Sequence, residues 1–373
     1  MARALSRAAP RRSLELGRAR LPGAATAGDL RGAPTERSSP MRRLAVSVVV
    51  CTRNRAPLLE RACRSVLDDP GGGVDWELLV VDNASTDETA ALLARLATEY
   101  PERVRSVEEP VLGLARARNS GIEHCRGEIV AFLDDDAEAE PGWVEAVERL
   151  LRSSGADAVG GPVQPILGGE LPEWFCGSLL QYITVWDLGD TVRDLTGPEF
   201  PRGTNMAFLR ECLVEGSGFS EHLGRRGTNL LSCEETELFA RLVRSGRRIV
   251  YGPQPVVRHR VPAERLRWSF LARRFFAQGV SEAILDWQLD GRAGLEAGWR
   301  RQVGYAVGVD TTSQWWSKSR NLLRRFSLVG YAFGAVRTRW ILAAAKPGSA
   351  DGERAMRRRS SEPQPPAGEK TSP

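Results

Sequence analysis

The run LAVSVVVC, residues 44–51, constrains the fold of this chain more than any other stretch. It is apolar, β-branched and without polar alternation, so it reads as a strand buried on both faces. Such a strand needs helices above and below it, and the sequence supplies them in turn. PLLERACRSVLDD (57–69) sets Leu58, Leu59, Ala62 and Val66 at helical spacing, and WELLVVD (76–82) is a second doubly buried strand. STDETAALLARLATEY (85–100) opens with Ser85 and Glu88 at capping-box spacing and carries Leu92, Leu93 and Leu96 on one face. RVRSVEE (103–109) is a short third strand, GLARARNSGIEHC (113–125) a helix and EIVAFLDDD (128–136) a fourth strand. GWVEAVERLLRSS (142–154) is a helix behind Pro141, and ADAVGGPV (156–163) a fifth strand. This alternation predicts an α/β fold with a mostly parallel sheet flanked by helices.

Beyond residue 165 the pattern loosens into a Gly/Pro-punctuated stretch that reaches RGTNMAFLR (202–210). EETELFARLVRSG (234–246) is a helix ending at Gly246, RRIVYG and PVVRH are strand-like, and 263–289 is long, helical and basic on one side. No internal repeat is visible. Residues 311–350 hold seven Lys/Arg and no acid, and their longest uncharged run, 326–336, is eleven residues. A spanning helix needs roughly 20 apolar residues. Two readings remain: a basic, Trp-containing amphipathic helix lying on an anionic membrane, or a core helix pair with solvated arginines.

Residues 1–43 carry ten Arg against three acids, show no apolar periodicity and are expected to be disordered. Their Arg-rich, acid-poor character also fits a transit peptide, and Met41 offers an alternative start. Residues 346–373 are expected to form a second disordered tail. With both tails set aside, the +5 formal charge becomes −4 for residues 44–345, so the basic pI describes the tails and nucleic acid is not an expected partner. The six cysteines are scattered without a CxxC, which suits a reducing, cytoplasmic compartment. The three histidines lie at no zinc spacing, so an oxygen-bound hard metal is the expected kind.

Ligands of parallel sheets sit beyond the carboxyl ends of the strands. Four such ends carry polar clusters: Thr52-Arg53-Asn54-Arg55, Asp82-Asn83, Glu108-Glu109 and Asp134-Asp135-Asp136. GxGxxG and GxxxxGK[ST] are absent, so the usual phosphate cradles are missing. Three consecutive carboxylates repel one another and raise one another's pKa, whereas a bound divalent cation stabilises the ionised forms. Mg²⁺ or Mn²⁺ takes one or two carboxylates and completes its shell with phosphate oxygens and water, which points to a metal–diphosphate ligand. A solvated acidic loop, or a cap for the 142–154 helix, is the plain alternative.

VSVVVCTRNR, LLVVDNASTDET, LGLARARNSGI, IVAFLDDDAEAEPGW, RGTNMAFLR and CEETELFARLVRSG occur in that order. Together they resemble the family 2 glycosyltransferases over about residues 44–290. The resemblance implies a GT-A fold over 44–262, a helical extension over 263–345, and an inverting transfer from a nucleotide-diphosphate sugar to a glycan, lipid-linked or small-molecule hydroxyl. It also implies a role in cell-envelope glycan or glycoconjugate synthesis, and the basic C-terminal segment favours the inner face of the membrane. By the same resemblance Asp82 binds the base, Thr52, Arg53, Arg118 and Asn119 flank the nucleotide, Asp135 or Asp134 meets the ribose, and Asp136 with His259 holds the metal. Gly203 and Asn205 lie on the acceptor side. Glu235, with Glu234 beside it, takes the place of the general base, a Glu where the family uses Asp. Two alternatives stand beside this reading. A sugar-nucleotide pyrophosphorylase would want a Gly-rich basic loop that CTRNRAPLLERA does not supply, and a binding module without catalysis would accommodate the Glu-for-Asp change.

Overall fold

A computed structural model describes residues 44–69, 71–197, 199–307 and 315–344. Both expected tails, with Met41, lie outside the described residues. The elements are β1 (Val46–Thr52), α1 (Ala56–Leu67), β2 (Trp76–Asp82), α2 (Thr89–Glu99), β3 (Val104–Glu108), α3 (Leu114–His124) and β4 (Ile129–Asp134). They continue with β5 (Ala137–Ala139), α4 (Trp143–Ser154), β6 (Ala158–Gly160), β7 (Val163–Leu167), β8 (Arg193–Asp194), β9 (Asn205–Leu209) and α5 (Arg210–Glu215). The rest are α6 (Glu234–Arg244), β10 (Ile249–Tyr251), β11 (Val257–Val261), α7 (Trp268–Val307) and α8 (Trp315–Ala344).

The main sheet has the order β3-β2-β1-β4-β9-β6-β10-β8. β3, β2, β1 and β4 are parallel neighbours, β9 runs antiparallel between β4 and β6, and β8 antiparallel beside β10. The expected mostly parallel α/β sheet is therefore present. Successive β1 residues face opposite helical layers. Val46, Val48 and Val50 join the cluster of α1, α2 and α4, while Val49 joins that of α3, α5 and α6. Each fully buried Val or Leu contributes about 1.5–3 kcal/mol, so a strand apolar on both sides is driven to the centre. From β1 the chain steps to β2 on one side and returns through β4 on the other. That reversal opens a crevice beyond Thr52 and Asp134.

A second, three-stranded sheet of order β5-β11-β7 abuts this crevice. In its register His259 on β11 pairs with Ala137, one residue past the aspartate run. The expected fifth strand, ADAVGGPV, is divided: Ala158–Gly160 enters the main sheet and Val163–Leu167 the small one. The expected capping box at Ser85 and Glu88 does not form. Asp87 Oδ1 accepts instead from the Thr89 amide (3.1 Å) and hydroxyl (2.5 Å), and Ser85 Oγ accepts from the Asn54 amide (3.0 Å). An Asx acceptor two residues back closes the turn more tightly than the Ser would.

α7, broken at Gly291 (φ +59°), packs along α8. The two backbones approach at Gly279 and Gly330, where any Cβ would strike the Ser327 carbonyl and the Phe276 carbonyl respectively. Leu271, Phe275 and Leu323 bury against Phe175, Leu179 and Ile183, which joins the helical pair to the segment between β7 and β8. Among the described residues no helix is long and apolar enough to cross a membrane.

Candidate active site

The crevice at the reversal point has a volume of about 340 Å³ and is lined by the β1 and β4 ends together with Arg225, His259 and Arg265. Its three aspartates are held in three different ways. Asp134 accepts from the Thr204 hydroxyl (2.6 Å) and from Arg118 Nη2 (3.1 Å). Asp135 accepts from Thr52 Oγ1 (2.9 Å) and Arg55 Nη1 (2.8 Å). Asp136 meets Arg265 Nη2 (3.0 Å), Arg55 Nη1 (3.2 Å) and His259 Nε2 (3.4 Å). Burial pushes Asp135 up to about 6 against the pull of Arg55, with the charge of Asp136 adding to the rise. Burial also opposes ionisation of Asp136, but His259, Arg265 and Arg55 outweigh it and hold that carboxyl well below the usual range. The mutual repulsion of the run is thus offset by cations, and of Asp135 and Asp136 it is Asp135 whose carboxyl is pushed up.

Arg118 joins this crevice to a second one. Its side chain is buried, and Nη1 donates to Glu234 Oε1 (2.8 Å) while Nη2 donates to Asp134 and to the Gly203 carbonyl (3.3 Å). Gly203 lacks a Cβ where one would sit 2.6 Å from Arg118 Nη2, so any larger residue there would push the guanidinium from its place. The second pocket, of about 200 Å³, holds Glu235, Arg202, Arg274 and Gln278. Cys233, in the left-handed region at φ +71°, turns the chain so that α6 begins with Glu234 and Glu235. Glu234 is committed to Arg118. Glu235 is not: its Oε2 is buried without a partner, and burial, with the charge of Glu234, pushes it up to about 7. A carboxyl of that pKa inside a pocket can exchange a proton near neutrality.

The sequence-expected residues separate into two sets. Thr52, Arg53, Asp134, Asp135, Asp136 and His259 share the first crevice. Asp82 ends β2 and spends one oxygen on the Ser85 amide (3.0 Å), forming a turn. Arg118, Gly203, Glu234 and Glu235 share the second pocket. Two expected residues stand apart from both sets. Asn119 does not line the aspartate crevice; its amide exchanges hydrogen bonds with the Phe219 backbone (2.9 and 2.8 Å), because one helical step from Arg118 turns a side chain by about 100°. Asn205 does not face the second pocket; it is buried and bound to Trp143 Nε1 (3.0 Å) and to the Pro162 and Pro255 carbonyls (3.0 and 2.6 Å). On an extended chain it points opposite to Thr204, which does reach Asp134. Sequence reasoning missed Arg55, Thr204 and Arg265. Arg55 stood within the polar cluster after β1, whereas nothing in the sequence ties Arg265 to residue 136.

Among the described residues no three His, Cys, Asp or Glu side chains gather at metal-ligand spacing. One carboxylate and one imidazole do converge, and the buried His259 Nδ1 has no partner. Two protein ligands of this kind suit Mn²⁺ or Mg²⁺ only when phosphate and water complete the shell, so the residues fit a metal that arrives with a diphosphate.

The sequence profile of "Glycosyl transferase family 2" matches residues 47–213. The chain is 28% identical to the glucosyl-dolichyl phosphate glucuronosyltransferase of Haloferax volcanii, over 65% of this chain and 77% of that protein. It is likewise 28% identical to the succinoglycan biosynthesis protein ExoM of Rhizobium meliloti, over 66% of this chain and 76% of that protein. Its fold is like that of the mannosyltransferase PcManGT of Pyrobaculum calidifontis, with a TM-score of 0.50 and 22% identity, over 79% of this chain and 88% of that one. The strand order, the crevice and the matched segment agree: residues 47–213 match glycosyl transferase family 2, and the chain is a glycosyltransferase.

Proposed function

We propose that the chain is an inverting transferase that moves a sugar from a nucleoside-diphosphate sugar to an acceptor hydroxyl, with Glu235 as the general base. The observation that carries this reading is Glu235 itself, a carboxyl with one unpartnered buried oxygen and a pKa pushed up to about 7, joined through Glu234 and Arg118 to the aspartate crevice. The donor's nucleotide lies in the first crevice, with its base toward Asp82, Thr52 and Arg53 beside it, and its ribose toward Asp134 and Asp135. Asp136 and His259 would hold a divalent metal, Mn²⁺ or Mg²⁺, which when bound neutralises charge on the departing diphosphate. The Pyrobaculum mannosyltransferase was determined with GDP-Man and Mn²⁺, in keeping with this assignment.

Glu235 accepts the acceptor's hydroxyl proton as that oxygen attacks the anomeric carbon from the face opposite the diphosphate. The bond from that carbon to the phosphate oxygen breaks, and one displacement inverts the configuration. Arg118 acts as a positioning residue, fixing Glu234, Asp134 and Gly203 relative to one another and so setting the base against the donor. Replacing Glu235 by Gln keeps shape and removes the base. Turnover in a nucleotide-sugar panel should fall about 10²- to 10⁴-fold while calorimetric binding of nucleotide with Mn²⁺ persists. Undiminished turnover would sink the assignment. We further propose that α8 rests on an anionic membrane surface, at the inner face of the cell membrane, where a lipid-linked acceptor would be met. Leu322, Phe326, Val329, Phe333 and Val336 stand exposed along one stripe of it, beside exposed Arg325 and Arg337.

A further inference from the structure

Arginines run in a row from the aspartate crevice to Glu235. Arg265 is paired with Asp136. Beyond it come Arg225, which lines both pockets, and then Arg274 and Arg202 beside Glu235. They arrive from three separate segments: the loop before α6, the first turns of α7 and the loop before β9. Among the described residues none of these last three forms an ion pair, and Arg202 Nε and Arg274 Nη1 are buried without any hydrogen-bond partner. The Arg202 guanidinium stands 5.9 Å from the centre of the Trp186 ring.

Buried guanidinium groups without a counter-charge are unfavourable, and burial together with mutual repulsion shows in their titration. Burial and then the charges of Arg274 and Arg265 bring Arg225 down to about 10, and burial likewise lowers Arg202. Two of the carboxylates nearby are engaged elsewhere. Glu234 is held by Arg118 (2.8 Å), and Glu282 accepts from Gln278 (2.9 Å) and from Gln302. Glu235 acts on Arg202 electrostatically but makes no ion pair with it. The buried Arg202 Nε and Arg274 Nη1 are therefore open to a negative group carried by a ligand. The donor diphosphate is accounted for at the other end of the row, beside Asp136.

We propose that Arg202 and Arg274, backed by Arg225, form an oxyanion subsite beside the reacting centre, and that the substrate seated there carries a carboxylate or a phosphate. This rests on the transferase reading and narrows it: either the transferred sugar is acidic or the acceptor is phosphorylated close to its reacting hydroxyl. Planar guanidiniums from two elements can each offer a fork to such a group, which a neutral sugar would leave unpaired.

The test uses the full chain saturated with nucleoside diphosphate and Mn²⁺, so that the donor end is filled, and titrates inorganic phosphate, glucuronate and, as the neutral control, glucose. Wild type should bind phosphate or glucuronate saturably and glucose not at all. Arg202→Gln and Arg274→Gln should each weaken the anion by about tenfold or more, and Arg274→Lys should restore part of it. Nucleotide binding should stay unchanged in all three variants, which certifies their folding. A stronger response to phosphate assigns the charge to the acceptor, and a stronger response to glucuronate to an acidic sugar. Absence of saturable binding of either anion by wild type, or binding that the two Gln variants leave intact, overturns the subsite. The two readings fail separately, since a chain that takes the anion yet no nucleotide contradicts the transferase and not the subsite.

Discussion

Glu234 and Glu235 are adjacent in sequence and opposite in circumstance. One helical step separates their directions by about 100°, so Glu234 meets Arg118 while Glu235 enters the pocket. The pH dependence follows from that. A raised carboxyl pKa keeps Glu235 protonated, and unable to accept a proton, until the pH passes about 7. Turnover should therefore rise about tenfold per pH unit below that value and level off above it. A steady-state profile flat between pH 5 and 9 would exclude Glu235 as the base. Arg118 carries a second prediction at this scale. It is buried against two carboxylates, and deleting one member of a buried pair costs about 3–5 kcal/mol because the others stay behind uncompensated. Arg118→Met should lose about that much in urea denaturation, and adding Glu234→Gln should recover part. Equal stability of Arg118→Met and wild type would remove its role as a strut. The acids at strand ends were legible in the sequence because a strand's end fixes where its residues go. Asn119 and Asn205 were not, because a motif gives position along the chain and leaves direction to the packing. The arginine row was invisible for a further reason: residues 202, 225, 265 and 274 meet only when three loops and a helix close on one another.

Among the elements, those with a periodic apolar pattern were read correctly, since burial on two faces or along one stripe leaves little choice. β1 through β4 and the helices between them follow the expected order. The Gly160-Gly161-Pro162 step divided what looked like a single strand, and that division creates the small sheet that carries His259 to the aspartates. Local chemistry at Asp87, rather than the spacing of Ser85 and Glu88, set the start of α2. The α7–α8 contact lay beyond sequence reasoning, because glycines inside helices signal weakness until the partner backbone is in view. Here they allow contact. Gly279→Leu would drive a side chain into the Ser327 carbonyl, which belongs to rigid helix backbone, so the two helices must part. Overpacking of this kind typically costs about 1–3 kcal/mol. Denaturation should show a loss at the upper end of that range, with nucleotide binding at the distant crevice retained. A variant as stable as wild type would show that the helices do not meet at Gly279.

At the scale of the whole molecule, α8 has two faces with different partners. One is spent on α7. The other presents Leu322, Phe326, Val329, Phe333 and Val336, whose separations alternate between four and three residues and so keep to one stripe. Val329 and Val336 are 59% and 69% exposed, far more than a valine on a closed surface needs to be. A stripe with that spacing also suits a second copy of the helix, but residues 311–350 carry only positive charge, and two copies would set arginine against arginine. An anionic bilayer has the opposite sign and an apolar layer just beneath it, and each basic residue near such a surface is worth about 1 kcal/mol. The proposed membrane contact therefore makes a paired prediction. The full chain should float with vesicles containing anionic lipid and not with purely zwitterionic ones, and molar salt should weaken the attachment as screening removes the arginine contribution. Val329→Glu with Val336→Glu should abolish flotation without moving nucleotide affinity, because the stripe lies on solvent-facing positions far in sequence from both crevices. Equal flotation of that variant and wild type would rule out the stripe as the attachment surface. Concentration-dependent dimers of wild type that vanish in the variant would assign the stripe to a second copy instead.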